Sequence, residues 1–313
     1  MLRLLLRPVL GGLFTILVAS FVIFVALSFA PGDPAVALAG PHATPDQLQA
    51  LREQLGENQP LLVRYASWLG RMVHGDFGQS TQFRQSVSSL LGPRVGVTVL
   101  LVTYAFLLIL VFGIGLGLLP SLHRALRWPV VIVSSLGVAI PTFVAALLLI
   151  EVFALRLGWF PVLGTSSGGV ANRLWHLTLP AIALALSWAA FVAQISRASI
   201  RDQENREHVE TARSRGLSSG LIFRKHVLRN AAVPIVTVVG LTLAGIIAGS
   251  IVVETAFGIG GIGSLLVVSV SAKDTNVVLA ISIIFVVAFV VATTLADFAQ
   301  IMLDPRVRDR VTS

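Results

Sequence analysis

The chain alternates long apolar stretches with shorter polar stretches. Each apolar stretch exceeds the roughly 20 residues that a helix needs to cross the hydrocarbon of a bilayer. Charged residues are almost absent inside these stretches. We therefore predict an all-α integral membrane protein with six transmembrane helices, at residues 9–30, 95–120, 128–155, 174–196, 231–253 and 275–296.

The first apolar stretch has a competing interpretation, a cleaved signal peptide with Ala37-Leu38-Ala39 as its processing site. The apolar core of a signal peptide spans about 7–15 residues. The stretch 9–30 is longer, so we expect it to be retained as the first span. The chain then divides into regions 1–30, 31–94 and 95–313, the last with five spans and a tail at 303–313.

The region 31–94 is polar and is predicted to contain two surface helices. Thr44 is placed to cap a helix that begins at Pro45 and ends near Gly56. A second helix is expected from Pro60, and its apolar side chains share one face. That face consists of Leu61, Tyr65, Trp68, Leu69 and Met72. Such helices lie on the membrane surface or pack as a small external cap.

Lysine and arginine residues are sorted by side of the membrane. With six spans, both termini lie on one side, and that side carries fifteen of the 23 basic residues. The two short loops opposite carry only Arg156, Arg173 and Lys273. Because cytoplasmic loops are enriched in basic residues, we predict that both termini and the loop 197–230 are cytoplasmic. The net charge of +8 then reflects topology rather than nucleic-acid binding.

The composition excludes several kinds of chemistry. Charged residues make up 12% of the chain, against roughly 25% in soluble domains, and the mean hydropathy is +0.87. The absence of cysteine excludes disulfides and cysteine-based metal sites. No phosphate-binding loop and no H-E-x-x-H motif occurs. We predict no catalytic and no metal-binding residue, so any ATP must be hydrolysed by another chain.

Two glycine motifs have the form of enzyme signatures but stand in the wrong context. The G-x-S-x-G at 164–168 lies between membrane spans, without the strand–turn–helix setting of a hydrolase. The G-x-G-x-x-G at 258–263 follows a membrane helix rather than a strand. We interpret the second motif as a re-entrant glycine turn.

Features inside the spans predict bends and close contacts. Pro141 predicts a bend in the third span. Glu151 is expected at the membrane interface, whereas Glu254 fits an interfacial position and a pathway role equally well. Glycine-rich faces in the second and fifth spans, each with one pair at four-residue spacing (Gly113/Gly117 and Gly245/Gly249), predict close helix packing. The glycines of these faces are Gly113, Gly115, Gly117, Gly240, Gly245 and Gly249.

The basic stretch 207–234 contains helix-start and helix-end signals that predict two short helices. Residues 207–215 are good helix formers, and Gly216 stands where a left-handed C-terminal cap is expected. Ser218 or Ser219 is placed to cap a second helix that runs to about Asn230. We predict a helical hairpin on the cytoplasmic surface, with side chains free to meet a partner.

The hairpin also carries a family resemblance. Glu210-Thr211-Ala212 followed by Gly216 resembles the EAA loop of ABC-importer permeases, with threonine in place of the usual alanine. Further strings resemble the B-type subunits of the dipeptide, oligopeptide and nickel branch. They are Pro31-Gly32-Asp33-Pro34, Gly75-Asp76-Phe77-Gly78-Gln79-Ser80, VVETAFGIGGIGSLLVVSV and Asp304-Pro305-Arg306. The resemblance extends over nearly the whole chain.

The resemblance implies a type I-like permease bundle that imports peptides or a related solute, such as a nickel chelate or glutathione. It implies a homologous second permease as heterodimer partner, two ATPase subunits that bind ATP and Mg, and an extracytoplasmic substrate-binding protein. No cofactor is expected in this chain. The implied coupling contacts to the ATPases are Glu210, Ala212, Arg213, Gly216 and Leu217. The substrate-binding residues are not identified.

The main alternative is an autonomous secondary transporter or channel. That class would place coupling carboxylates or broken helices near the bilayer midplane, usually in an internal repeat. Here Glu151, Glu254 and Asp297 all stand near the ends of predicted spans, and the two halves show no convincing repeat. An intramembrane enzyme is less well supported, because no nucleophile–base pair occurs.

Overall fold

The computed structural model describes residues 2–29, 36, 39, 43–54, 58–164 and 168–303. Several predictions fall wholly or partly outside the described residues. They are the Pro31-Gly32-Asp33-Pro34 motif, the proposed signal-peptide processing site, the helix end at Gly56, the G-x-S-x-G centre and the Asp304-Pro305-Arg306 tail.

The described chain is helical, with one isolated β-bridge between Gln79 and Ser86. The α-helices are α1 (Leu2–Ser28), α2 (Pro45–Gln54), α3 (Leu61–Val73), α4 (Val87–Leu108), α5 (Gly115–Leu122), α6 (Arg127–Ala139), α7 (Thr142–Leu149), α8 (Val170–Glu204), α9 (Glu207–Ser214), α10 (Ser219–Ile222), α11 (Arg229–Ala256), α12 (Ile262–Ser271) and α13 (Thr275–Leu303). There are also three π-helical segments in the described chain. The first, Ile109–Ile114, joins α4 to α5, and the second, Ile150–Arg156, follows α7. The third, Phe223–Leu228, joins α10 to α11.

The predicted membrane spans are present. Within the described residues, five helices are long and apolar enough to cross a membrane, or six if one bent pair counts as a single span. The second span begins at Val87, eight residues before the predicted start, because Arg94 does not interrupt the helix. The fourth continues to Glu204, beyond the predicted end at residue 196.

The bent pair is the third span, and its bend is sharper than the sequence suggests. The helix axis bends by 102° between the two halves, Arg124–Ala139 and Thr142–Arg156. Pro141 has no N–H, so the helical hydrogen-bond ladder breaks there. The Ser187 hydroxyl donates to the Ile140 carbonyl oxygen at 2.6 Å, which satisfies an acceptor at the break. A neighbouring helix thus stabilises the bend.

The described chain forms two compact units. The first consists of Met1–Gly12, Leu100–Ile259 and Ala288–Ser313. The second consists of Leu13–Val99 and Gly260–Val287.

Helix α8 is the centre of the first unit. Helices α5, α6, α7 and α11 and the first π-helical segment all contact it. The contacts are close because glycine faces α8 from several sides. A Cβ at Gly117 would lie 2.5 Å from the Ser196 Cβ and 3.1 Å from the Ala193 carbonyl oxygen. A Cβ at Gly137 would lie 2.7 Å from the Ala190 Cβ.

Two glycines of α5 provide a matched pair for testing this packing. Gly117→Ala is expected to destabilise the protein by about 1–3 kcal/mol, since the added methyl group overpacks the contact with α8. Gly115→Ala is expected to be neutral or stabilising, because no atom lies within 4 Å of its Cβ position and alanine favours helix. Thermal unfolding of the purified chain in detergent measures both. Equal effects of the two substitutions would contradict the packing described here.

In the second unit, α3 packs through the face that the sequence predicts. Trp68 is buried with Phe24 of α1 and with Leu279 and Ile283 of α13. Leu61, Tyr65, Leu69 and Met72 pack against this cluster. The Tyr65 hydroxyl lies 2.7 Å from the Ser20 hydroxyl. Helix α3 is therefore a packed part of the unit rather than a solvated loop.

The start of α2 confirms the predicted N-terminal cap. The Gln47 N–H donates to the Thr44 hydroxyl at 3.3 Å, and the Thr44 N–H donates to the Gln47 side-chain oxygen at 3.0 Å. The pair is a reciprocal capping box.

The two acids near the ends of the third and fifth spans differ in exposure. Glu151 is exposed and accepts a hydrogen bond from the Arg156 guanidinium at 2.9 Å, which fits the expected interfacial position. Glu254 is fully buried within the protein, and its place at the interface or along a pathway stays a prediction. Composition could not distinguish the two, because both acids end an apolar stretch.

Candidate functional site

The loop between α8 and α11 forms the predicted hairpin, and its first arm ends in a complete helix cap. Helix α9 spans Glu207–Ser214, close to the predicted 207–215. Gly216 follows with φ +75°, in the left-handed region. Its N–H donates to the Arg213 carbonyl at 2.9 Å, and the Leu217 N–H donates to the Ala212 carbonyl at 3.3 Å. This pair of hydrogen bonds is a Schellman motif, which a glycine at this position permits without strain.

An apolar cluster fixes the hairpin to the first unit. Val209 and Ala212 of α9 are buried against Ile200, at the end of α8. The second arm and the start of α11 complete the cluster. They contribute Ile222, Val227, Ala231 and Ile235. Because both arms bury side chains in one cluster, the hairpin is ordered without a partner.

The opposite face of the hairpin is polar and exposed. Glu210, Arg213, Gly216 and Leu217, four of the five residues predicted as coupling contacts, lie on it. Leu217 is an apolar side chain with 38% of its surface exposed. Ala212 is only 4% exposed, so it anchors the helix and is not available to a partner in this arrangement. The sequence motif does not show this division, because alanine is compatible with either face.

The second arm differs from the prediction. Ser218 stands at the N-cap of α10, but its side chain makes no capping hydrogen bond. Helix α10 is only four residues long and passes through the π-helical segment directly into α11. The predicted helix end near Asn230 is therefore wrong, because the backbone continues as one helix from Ser219 to Ala256. The sequence did not reveal this continuous helix, because the charged residues of the arm give way to apolar residues as they would at a helix end.

Polar contacts link the two arms. The Asn230 side-chain amide donates to the His226 carbonyl at 2.7 Å. The His208 Nε2 of α9 lies 3.4 Å from this carbonyl oxygen and 3.4 Å from the Asn230 amide nitrogen. Sequence reasoning missed this cluster, because His208 is 18 and 22 residues away from His226 and Asn230. In the described chain, no group of three or more His, Asp or Glu side chains is placed to hold a metal ion.

The comparison with known protein families identifies the chain. Residues 109–309 match the family described as "Binding-protein-dependent transport system inner membrane component". Residues 1–102 match the N-terminal component of the same kind of transport system. The chain belongs to this permease family.

Curated relatives resemble the permease over nearly its full length. The permease is 34% identical to the glutathione transport system permease protein GsiC of Escherichia coli K12, over 98% of this chain and 99% of that one. It is 35% identical to a protein of Brucella suis biovar 1 that is named, provisionally, a peptide permease, with the same coverage. A chain from the inward-facing MetNI methionine ABC transporter matches with a TM-score of 0.50 at 17% identity, covering 67% of this chain and 92% of that chain. This last likeness supports the type I permease fold alone.

The family membership decides several predictions. The chain is a transmembrane subunit of an ABC importer and a multi-pass inner-membrane protein. It is the permease component rather than the ATPase, and the family implies no cofactor on this chain. ATPase and substrate-binding partners belong to such transport systems in general. The secondary-transporter and channel interpretations are thereby superseded.

Proposed function

We propose that this permease imports peptides, or a closely related solute such as glutathione, and is driven by ATPases that bind its hairpin. The substrate class is supported by the names of relatives that match 98% of the chain. The proposal places the hairpin and both termini in the cytoplasm, in agreement with the charge bias of the loops.

The observation that carries the coupling proposal is the two-faced hairpin. Its inner face is anchored in the core of the first unit by Val209 and Ala212. Its outer face presents Glu210, Arg213 and Leu217 around the tight turn at Gly216. An exposed leucine between charged residues suits an interface with an apolar centre and a polar rim. A force applied to this face is transmitted to α8 and α11, because both arms connect directly to these helices.

The proposed assembly contains a homologous second permease and two ATPase subunits. Each ATPase subunit would bind the hairpin of one permease. ATP and Mg would bind to the ATPases. An extracytoplasmic binding protein would deliver the solute. Closure of the ATPase pair would displace the hairpins and convert the permease pair between inward- and outward-facing states, as a ligand shifts a bistable assembly.

Gly216→Val is the decisive test of the coupling proposal. Valine at a positive φ costs roughly 1–2 kcal/mol or more, so the equilibrium constant for forming the turn should fall by about tenfold. No atom lies within 4 Å of the Cβ position, so the backbone angle and not crowding causes the effect. We expect substrate uptake to fall by a similar factor while membrane insertion is retained. Uptake in cells and ATPase activity of the purified complex measure this.

Two control variants accompany this substitution. Gly216→Asn should retain most uptake, because asparagine tolerates the left-handed region. Gly220→Val should also retain uptake, since this nearby glycine has open space and no positive φ. A pull-down of the tagged chain should recover a P-loop ATPase and a second permease. Normal uptake by Gly216→Val would refute the coupling role, and a homo-oligomer without ATPase would refute the assembly.

A further inference from the structure

A buried carboxylate joins two distant loops of the second unit. Asp274 is fully buried at the start of α13. It accepts a short hydrogen bond from the Ser80 hydroxyl and a 3.2 Å hydrogen bond from the Gln82 N–H. The Val277 N–H also points to it, at 3.5 Å. Through these hydrogen bonds, Asp274 holds the loop 78–87 to the loop 272–276.

Further hydrogen bonds fix the shape of both loops. The Asn276 amide donates to the Gln79 carbonyl at 2.8 Å. The Ser80 hydroxyl accepts from the Phe83 N–H at 2.9 Å, and the Ser80 carbonyl accepts from the Arg84 N–H at 3.1 Å. The Gly75–Ser80 string singled out in the sequence therefore contributes structure, through Ser80 above all.

Each loop contains one cationic residue in a strained backbone conformation. Arg84 has φ +52° and Lys273 has φ +58°, and within the described chain they are the only non-glycine residues with positive φ. Glycine would adopt these angles without cost. Strained residues of this kind persist where the surrounding structure over-determines them, and they cluster at functional sites. The loops therefore hold the backbone of two exposed, long cationic residues at fixed positions.

The loops 78–87 and 272–276 carry two exposed cations, Arg84 and Lys273, and one buried carboxylate, Asp274. Within the part of the chain that the structure describes, neither Arg84 nor Lys273 forms an ion pair. The carboxylate of Asp76 accepts the Gly78 N–H at 2.9 Å, and that of Asp274 is buried. By the proposed topology, both loops lie on the outer side.

We propose that the loops 78–87 and 272–276 form a preorganised basic docking platform, on which Arg84 and Lys273 bind an acidic patch of the extracytoplasmic substrate-binding protein. This inference rests on the proposed function and topology. Fixed charges on rigid loops suit a protein partner, because complementary charges steer association and set the register of docking. Anionic lipid is the weaker candidate, since the negative surface potential belongs mainly to the cytoplasmic leaflet.

The absence of cysteine makes a sharp cross-linking test possible. Gln85→Cys places a single cysteine at an exposed position of the platform, and this cysteine can be labelled with a photoactivatable cross-linker in intact cells. We expect the captured product, identified by mass spectrometry, to be a solute-binding protein. In the Arg84→Gly/Lys273→Gly background the capture should fall by about tenfold, the effect of losing two exposed ion pairs. These glycines also relieve the backbone strain, so misfolding is not expected.

Two further backgrounds separate charge from structure. Arg84→Lys/Lys273→Arg keeps both cations and should keep the capture. Arg173→Ala removes an exposed outer cation from ordinary helical backbone and should leave the capture unchanged. The captured protein is then purified, and its affinity for the reconstituted transporter is measured at low and high salt. The wild-type affinity should fall with salt more steeply than that of the double-glycine variant.

Three outcomes would refute the proposed docking platform. They are equal capture in the double-glycine background, capture of lipid alone, and an affinity with the same salt dependence in the wild type and the double-glycine variant. Co-purification of the ATPase subunits is recorded in every background. If they co-purify while capture is unaffected, the proposed function stands and the platform alone is refuted. If no ATPase co-purifies with the wild-type chain, the proposed function fails independently of the platform.

Discussion

Gly245→Val is expected to disrupt the contact between α8 and α11 more severely than Gly249→Val, the neighbouring glycine substitution at this contact. A Cβ at Gly245 would lie 2.2 Å from Cζ2 and 2.4 Å from Cη2 of Trp188, an aromatic ring on α8. One turn further along, a Cβ at Gly249 would lie 2.9 Å from the Leu184 Cδ1. The two helices therefore touch across a glycine surface, as the four-residue spacing predicts. Valine at residue 245 would force α8 and α11 apart.

The expected cost is about 3 kcal/mol, at the upper end of the range for overpacking, because a rigid indole cannot move aside as a flexible side chain can. Yield of folded protein and thermal unfolding in detergent measure the loss. Trp188→Leu in the Gly245→Val background removes the ring and should restore much of the stability, whereas Trp188→Leu alone should destabilise. Additive effects of the two substitutions would show that the ring is not the obstacle.

The second large effect is expected for Asp274→Ala. The substitution removes the acceptor for the Ser80 hydroxyl and the Gln82 N–H, which then remain without their partner. Losing hydrogen bonds to a charged group costs about 1.5–3 kcal/mol. The loop 78–87 should therefore separate from the start of α13. We expect trypsin to cleave after Arg84 and Lys273 faster than in the wild type, since both residues lie in the released loops.

A nearby acid provides the comparison for this experiment. Asp76 is exposed, and its carboxylate accepts the Gly78 N–H within its own turn. Asp76→Ala should therefore leave tryptic cleavage at Arg84 nearly unchanged. Asp274→Asn should be intermediate, because the amide keeps one acceptor oxygen without the charge. Cleavage of Asp274→Ala at the wild-type rate would refute the role of this carboxylate.

Local chemistry explains which features the sequence could predict. The cap at Gly216, the capping box at Thr44 and the bend at Pro141 each depend on residues a few positions apart. The helical class and the membrane spans followed from the lengths of the apolar stretches, because a bilayer restricts spanning segments to few solutions. The type I permease bundle was implied by the family resemblance. The position of α3 followed from the spacing of its apolar face.

The missed features depend on contacts between distant residues. Ser80 and Asp274 are 194 residues apart, and no local pattern links them. The burial of Ala212 was not predictable, since a small apolar residue fits either face of α9. The π-helical segments have no sequence signature of their own. The continuity of the hairpin with α11 was hidden, because the change from charged to apolar residues resembled the end of a helix.

That continuity has a mechanical consequence. The helix from Ser219 to Ala256 has 38 residues and is on the order of 55 Å long. If it pivots about its far end, a tilt of about 5° displaces its hairpin end by roughly 5 Å, the height of one helical turn. The other arm is joined to α8, which is held against α11 at Gly245 and Gly249. We therefore expect a displacement of the hairpin to tilt α8 and α11 together rather than one of them alone.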